Sequence, residues 1–177
     1  GISLRFSPVK ETMLEAMRIC NEKSKIVSFD LNLRSELWGF SESFKETVLE
    51  AVSYSSIVFG NLHEEFLLIY DGNEDTLDKH ISEKQTFICR DGHNGALGIT
   101  NKDKVISNAI PISPIDSVGA GDAFNTGFIY ASCCGKDIEE SLDIGNQVAA
   151  FKLLGSGARH LPTKELLDDF NKKYQIN

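Results

Sequence analysis

What this chain does without narrows its function first. No apolar run in its 177 residues approaches the roughly 20 needed to cross a bilayer as a helix, and no secretory leader pattern opens it. A membrane partner is therefore not expected. Basic residues are in the minority, with 18 Lys and Arg against 26 Asp and Glu and a net charge of −8. A nucleic-acid partner wants a basic surface, which this balance does not supply; a local cationic pocket can still hold a small anion. The four cysteines, Cys20, Cys89, Cys133 and Cys134, show no C-x-x-C spacing and fall in apolar segments. They read as buried, reduced thiols of a cytoplasmic protein, not as a metal site or disulfide framework. Repeats and low-complexity tracts are absent. So is an initiator methionine: Gly1-Ile2-Ser3-Leu4 reads as the end of a buried strand already in progress, and the chain as a piece of a longer protein.

What remains is the composition of an ordinary globular protein, 41% hydrophobic and 25% charged, long enough for one domain with a sizeable core. Lys25 to Asp30, Ser56 to Gly60 and Gln85 to Cys89 are short β-rich runs. Between them lie helical patterns. Ser7 and Pro8 suit a helix entry, as cap and first helical residue, and Met13, Leu14, Met17 and Cys20 then share one stripe. Ser41 or Ser43 opens a second helix with Phe44, Val48, Leu49 and Val52 on its apolar face, and Asp75 to His80 reads as a short one. Later, Phe124, Phe128 and Ala131 with Gly127 describe a closely packed helix. Asp137 with Glu140 forms a capping box for the next, and Pro162-Thr163 opens the last. Strands alternating with helices predict an α/β fold, a doubly wound and mostly parallel sheet with helices on both faces.

The densest chemical signal is Asp116-Ser117-Val118-Gly119-Ala120-Gly121-Asp122, between a Pro-punctuated loop and the apolar run from Ala123. A Gly-rich loop opening a helix gathers unpaired N–H groups and the positive end of the helix dipole, a site for an anion. Asp122 on that first turn either caps the helix or stands where an incoming hydroxyl loses its proton. Further candidates follow the strands. Asp30, Asn32 and Arg34 alternate and, in extended chain, would point the same way; Arg34 offers a planar fork to an anion, unless Asp30, Glu36 or Glu42 pairs with it. Asn61 and Glu64 follow the second strand, where Glu64 also suits a first helical turn. Arg90-Asp91-Gly92-His93-Asn94-Gly95 sets two glycines three apart, as a tight loop close to a ligand, a hairpin turn or both. Strand tips are where open α/β sheets bind ligands.

Asp-Ser-Val-Gly-Ala-Gly-Asp-Ala-Phe resembles the D-T-x-G-A-G-D signature of the ribokinase-like (PfkB) family of carbohydrate kinases, with Ser117 in place of the usual Thr. The resemblance implies ATP and Mg2+ as cofactors and a small sugar or sugar acid as substrate. It makes Gly119, Ala120 and Gly121 an anion hole for the phosphoryl group and Asp122 the catalytic base. Asp30 to Trp38 is similar to the D-x-N-x-R-x-x-L-W segment of 2-keto-3-deoxygluconate kinases and fructokinases. That places Asn32 and Arg34 in the site, with Arg34 meeting the sugar-acid carboxylate and the nucleotide phosphates; Trp38 reads as packing. Asn61 and Glu64 match an N-x-x-E motif that acts indirectly on magnesium and phosphate. Arg90, Gly92 and Gly95 fall on a K-x-G-x-x-G segment at the ATP phosphates, with Arg90 for Lys and Asp91 for a usually apolar residue. Asn146 matches a position beside the adenine, though a helix-surface Asn reads equally well.

The resemblance spans the whole chain, making residues 1–177 the C-terminal part of a single kinase domain with its N-terminal portion and lid missing. The expected activity is phosphorylation of a terminal hydroxyl of 2-keto-3-deoxygluconate, by a full-length homo-oligomer of which this piece alone is inactive. Fructokinase or another sugar kinase of the family is the alternative, and a non-catalytic nucleotide- or sugar-binding fragment is the alternative from another class. A dinucleotide-binding dehydrogenase has little support, because Gly119-x-Gly121 lacks its third glycine.

Overall fold

The computed structural model of the protein describes residues 1–70 and 72–176. Asp71, which the sequence places in a turn with Gly72 and Asn73, lies outside the described residues. Five strands form a mixed sheet in the order β1-β2-β3-β4-β5, with helices around it, which is the expected α/β class. They are β1 (Ser28–Asp30), β2 (Ile57–Asn61), β3 (Thr86–Arg90), β4 (Ala96–Ile99) and β5 (Lys104–Ser107). Packing divides the chain into two compact units, one of Gly1–Arg90 with Ile99–Lys104 and the other of Asp91–Gly98 with Val105 onward.

In the first unit β1, β2 and β3 run parallel, with Phe29 beside Val58 and Val58 beside Phe87. Val58 and Phe59, and Phe87, Ile88 and Cys89, are buried in succession, as expected of parallel strands covered on both faces. Among the described residues four α-helices accompany them: α1 (Val9–Glu22), α2 (Ser35–Trp38), α3 (Glu42–Ser53) and the single turn α4 (Leu67–Ile69). Helix α3 buries Phe44, Val48, Ala51 and Val52, and the Ser41 hydroxyl caps it by accepting from the Phe44 N–H at 3.2 Å. Two expectations fail at the start of the chain. Residues Ile2–Arg5 form a 3-10 turn, not a strand. The Leu4 N–H bonds the Gly1 carbonyl at 3.0 Å, inside the segment, while the Leu4 side chain is fully buried. Helix α1 begins one residue later than expected, with Pro8 in the cap position. The Ser7 hydroxyl donates to the Glu11 carboxylate at 2.6 Å, and no side chain caps the helix.

The second unit is built on α5 (Ala120–Cys133), α6 (Ile138–Leu153) and α7 (Lys164–Tyr174). Small residues let α5 and α6 approach: a Cβ on Gly127 would lie 2.9 Å from the Ile144 carbonyl oxygen, and one on Gly145 2.9 Å from the Phe124 ring. The capping box is present, with Asp137 accepting from the Glu140 N–H at 2.9 Å and Glu140 from the Asp137 N–H at 3.3 Å. Thr163 caps α7. All four cysteines are free thiols, but only Cys89 is buried and Cys20 half-buried; Cys133 and Cys134 are exposed. These two close α5, where the helix runs out past its packed face. Among the described residues no helix is long and apolar enough to cross a membrane.

Candidate active site

Parallel pairing puts three polar residues at neighbouring strand ends in the first unit. Asp30, Asn61 and Arg90 are the last residues of β1, β2 and β3, and Asn61 and Arg90 are register partners. The Arg90 guanidinium forks onto the Asp30 carboxylate at 3.0 and 3.1 Å and stands 3.9 Å from Glu65. Its charge is therefore shared with carboxylates at the strand tips. Asp30 is thus paired with Arg90 and not with Arg34, which is exposed with no hydrogen bond or ion pair to its guanidinium among the described residues. The segment carrying Arg34 is not extended. Asn32 and Arg34 both have positive φ, 36° and 51°, and Arg34 sits in the cap position of α2. Alternation survives in burial alone: Leu31 and Leu33 are fully buried, Asn32 half-buried and Arg34 exposed. A left-handed Arg costs about 1–2 kcal/mol, so the packing of the two leucines overrides local preference. Trp38 is half-exposed and packs edge-on against Phe6 at 5.5 Å.

Glu65 is the residue that sequence reasoning passed over, as a mere continuation of the helix after Glu64. It is buried, and its carboxylate accepts from the Leu33 N–H at 2.6 Å and the Asn61 N–H at 2.8 Å. It thus ties the loop bearing Asn32 and Arg34 to the end of β2. Burial pushes its carboxyl pKa up, opposed by those two backbone donors. Glu64 is exposed; the Asn61 side chain accepts from its N–H at 2.9 Å, so Asn61 caps the turn that follows β2. Two adjacent acids after a strand, one followed by an apolar Phe66, were the available signal.

In the second unit α5 opens at Gly119, whose φ of 83° is a left-handed conformation that glycine adopts without strain. No side chain caps the helix, so Asp122, third in α5 and exposed, is not the cap. Among the described residues nothing hydrogen-bonds its carboxylate, nor the N–H groups of Gly119, Gly121 and Asp122. The Ala120 N–H differs from the expectation for an anion hole: it bonds the Ser117 carbonyl at 3.1 Å. Open donors at a helix N-terminus attract an anion, and a free carboxylate beside them can take a proton. Asp116 braces the loop, accepting from the Val118 N–H at 2.9 Å and the Gly157 N–H at 2.7 Å. These two donors hold its pKa below the usual carboxylate range.

The glycine loop belongs to the same unit from Asp91 on. Gly92–Asn94 is a 3-10 turn, closed by the Asp91 N–H on the Gly95 carbonyl at 2.8 Å. Gly95 has a φ of 103°, and a Cβ there would collide with the Ser107 carbonyl oxygen. A cleft of about 510 Å³ lies between this turn and Ile106–Ala109. Asn146 is buried, not on the helix surface: its amide donates to Ser107 Oγ at 2.8 Å and to the carbonyls of Ser107 and Asn108 at 3.2 Å. Whereas Asn32, Arg34, Asn61, Glu64, Arg90 and Gly92 lie at or just after strand ends, Ala120 to Asp122 follow β5 only after an irregular segment of 12 residues, 108 to 119, that ends at Gly119. No group of three His, Cys, Asp or Glu able to hold a metal occurs among the described residues. The unpaired, exposed carboxylate of Glu64 fits a magnesium ion that arrives on phosphate and keeps its waters.

The strand-tip charge cluster of the first unit and, in the second, the glycine-opened helix with its unpaired aspartate are each features at which α/β proteins receive anionic ligands. The model of the pfkB family carbohydrate kinases matches residues 3–165, and the chain belongs to that family. It is 26% identical over 181 residues to a 5-dehydro-2-deoxygluconokinase of Clostridium perfringens, covering 98% of this chain and 54% of that protein. Its structure is similar to the aminoimidazole riboside kinase of Salmonella enterica complexed with aminoimidazole riboside and an ATP analog. The TM-score is 0.83 at 27% identity, over 96% of this chain and 60% of that one. The fructokinase of Vibrio cholerae, in a fructose-, ADP- and calcium-bound form, superposes with a TM-score of 0.85 at 27% identity, over 96% of this chain and 58% of that one. The chain thus spans little more than half the length of the relatives it matches, and shares with them the ribokinase-like fold.

Proposed function

We propose that these residues form the C-terminal part of a single kinase domain that transfers the γ-phosphoryl group of ATP to a terminal hydroxyl of 2-keto-3-deoxygluconate. The observation that carries the reading is Asp122, an exposed carboxylate without a hydrogen-bond partner on the first turn of α5, beside the open N–H groups of Gly119, Gly121 and Asp122 itself. Asp122 accepts the hydroxyl proton as the sugar oxygen bonds to the γ-phosphorus, the bond to the β–γ bridging oxygen breaks, and ADP leaves. The loop N–H groups hold the phosphoryl oxygens, a fixed arrangement of dipoles where charge develops. Exposed and unpaired, Arg34 is the group suited to a sugar-acid carboxylate or a nucleotide phosphate. The family's K-x-G-x-x-G spacing supports giving Arg90, Gly92 and Gly95 to the nucleotide phosphates, as the D-x-N-x-R spacing does for Asn32, and Asn146, which holds the Ser107–Asn108 backbone, to the side of the base. Magnesium bound to the nucleotide, met by Asn61 and Glu64 through water, would neutralise phosphate charge. Free thiols suit a cytoplasmic setting.

A carboxylated substrate is favoured by Arg34 and by likeness to a 5-dehydro-2-deoxygluconokinase. The fructokinase likeness favours a neutral ketohexose as the second reading. ATP turnover by the full-length protein against a panel of sugar acids and neutral ketohexoses tests both. Selective turnover of 2-keto-3-deoxygluconate is expected. Preference for fructose selects the second reading, and ATP binding without turnover of any sugar makes the protein a binding module.

A further inference from the structure

Lys152 has no part in the reaction just described, and its placement calls for a reason. It lies in the last turn of α6 and is fully buried, one of the largest side chains in the protein with no exposed surface. An amino group taken out of water loses several kcal/mol of hydration unless it is well paired, and a leucine or methionine would fill the same volume without that loss. The Lys152 Nζ donates to the carbonyl oxygen of Asp116 at 2.6 Å, 36 residues away in sequence. Two further bonds join the same places, from the Ile115 and Asp116 N–H groups to the Leu153 carbonyl at 2.7 and 3.4 Å. Past α6, the Gly157 N–H reaches the Asp116 carboxylate, and a Cβ on Gly119 would lie 3.1 Å from that of Ala158. The end of α6 and the turn after it therefore grip the loop at its first residue and again at Gly119. A cation at a helix C-terminus is favoured by the dipole alone, but that needs no partner on another segment, and Lys152 has one.

We propose that Lys152 is a positioning residue for phosphoryl transfer: its buried amino group fixes the Asp116 carbonyl and thereby the loop that presents the Gly119, Gly121 and Asp122 N–H groups to the transferring phosphate. The inference rests on the kinase reading for its catalytic consequence, while the clamp itself does not. Lys152 acts through the loop, so its loss affects turnover more than substrate capture.

In the full-length enzyme Lys152→Met, which keeps length and volume, is expected to lower kcat about 10–100-fold, because displacing a reacting group by an ångström costs on the order of 10²-fold. KM for the sugar is expected to stay within about threefold. Lys152→Ala opens a space ending at the Asp116 carbonyl, and added ammonium or methylammonium is expected to restore part of its kcat, where tetramethylammonium does not. A purely packing role would not respond to small cations in this way. Amide exchange at Val118, Ala120 and Gly157 is expected to quicken in Lys152→Met while the middle of α5 and α6 keeps its protection. That last readout needs no turnover. If the wild type phosphorylates none of the sugars yet these three amides loosen, the kinase reading fails and the clamp stands. Wild-type kcat in Lys152→Met, absence of cation rescue in a folded Lys152→Ala, or exchange raised uniformly along α5 and α6 would each overturn the proposal.

Discussion

Replacing Asp122 with Asn separates catalysis from folding at the residue on which the kinase reading turns. The carboxylate is exposed, accepts no hydrogen bond among the described residues, and does not cap α5, which starts at Gly119. Its contribution to stability is therefore the attraction of an acid to the first turn, about 0.3–1 kcal/mol. The amide is isosteric but cannot take the hydroxyl proton. General-base catalysis supplies about 10²–10⁴-fold, which is about 2.7–5.4 kcal/mol of barrier at 1.36 kcal/mol per tenfold. The two effects thus differ several-fold in energy and fall on different observables. Measured on the full-length protein with ADP release coupled to an optical readout, Asp122→Asn is expected to lose at least about 10² in kcat. Its denaturant midpoint should move by the equivalent of less than about 1 kcal/mol. KM for ATP should change little, since the loop N–H groups are untouched. Near-normal turnover would remove Asp122 from its role, and a large fall in stability would show that the aspartate is structural.

Three other perturbations probe the surrounding residues. Arg34→Leu is expected to weaken kcat/KM for a sugar acid by about 10-fold or more relative to a neutral ketohexose, as a lost charged contact of about 1.5–3 kcal/mol requires; equal losses would assign Arg34 to the nucleotide alone. Glu65→Ala leaves the Leu33 and Asn61 N–H groups without their acceptor, at about 1–3 kcal/mol each, so urea unfolding should show about 2–6 kcal/mol lost. A change below about 0.5 kcal/mol would mean that the carboxylate tie adds nothing. Asp116 has its folded-state pKa lowered by the Val118 and Gly157 donors from a usual value of 3.8. Its stabilisation is therefore present above that value and is lost as pH falls through the lower, folded-state pKa. The gap in unfolding free energy between wild type and Asp116→Asn should be larger at about pH 6 than at about pH 3, and a gap that widens on acidification would contradict the assignment.

The parts of the site that could be read in advance were those written in short-range spacing. The capping box at Asp137 and Glu140, the stripe of α3 and the glycine-opened turn before Asp122 each depend on residues three or four apart, and each is present. Conformation that opposes local preference was not legible: the left-handed Arg34, held by buried leucines on either side of Asn32, looked from its alternation like extended chain. Nor were the partners of buried charges. Asp30 and Arg90 are 60 residues apart, and nothing near Lys152 in sequence points to Asp116.

The sequence by itself determined the class of this protein, its alternating strands and helices and the glycine turn that opens α5, because period, capping and glycine placement act within a few residues. Tertiary structure alone decided which cation stays free and which is spent. Arg90 is drawn to Asp30 and toward Glu65 and Lys152 to a loop carbonyl, while Arg34 is left exposed. The physical reason is that burying a charge costs more than any local propensity supplies, so its partner is chosen by whatever the fold brings within reach.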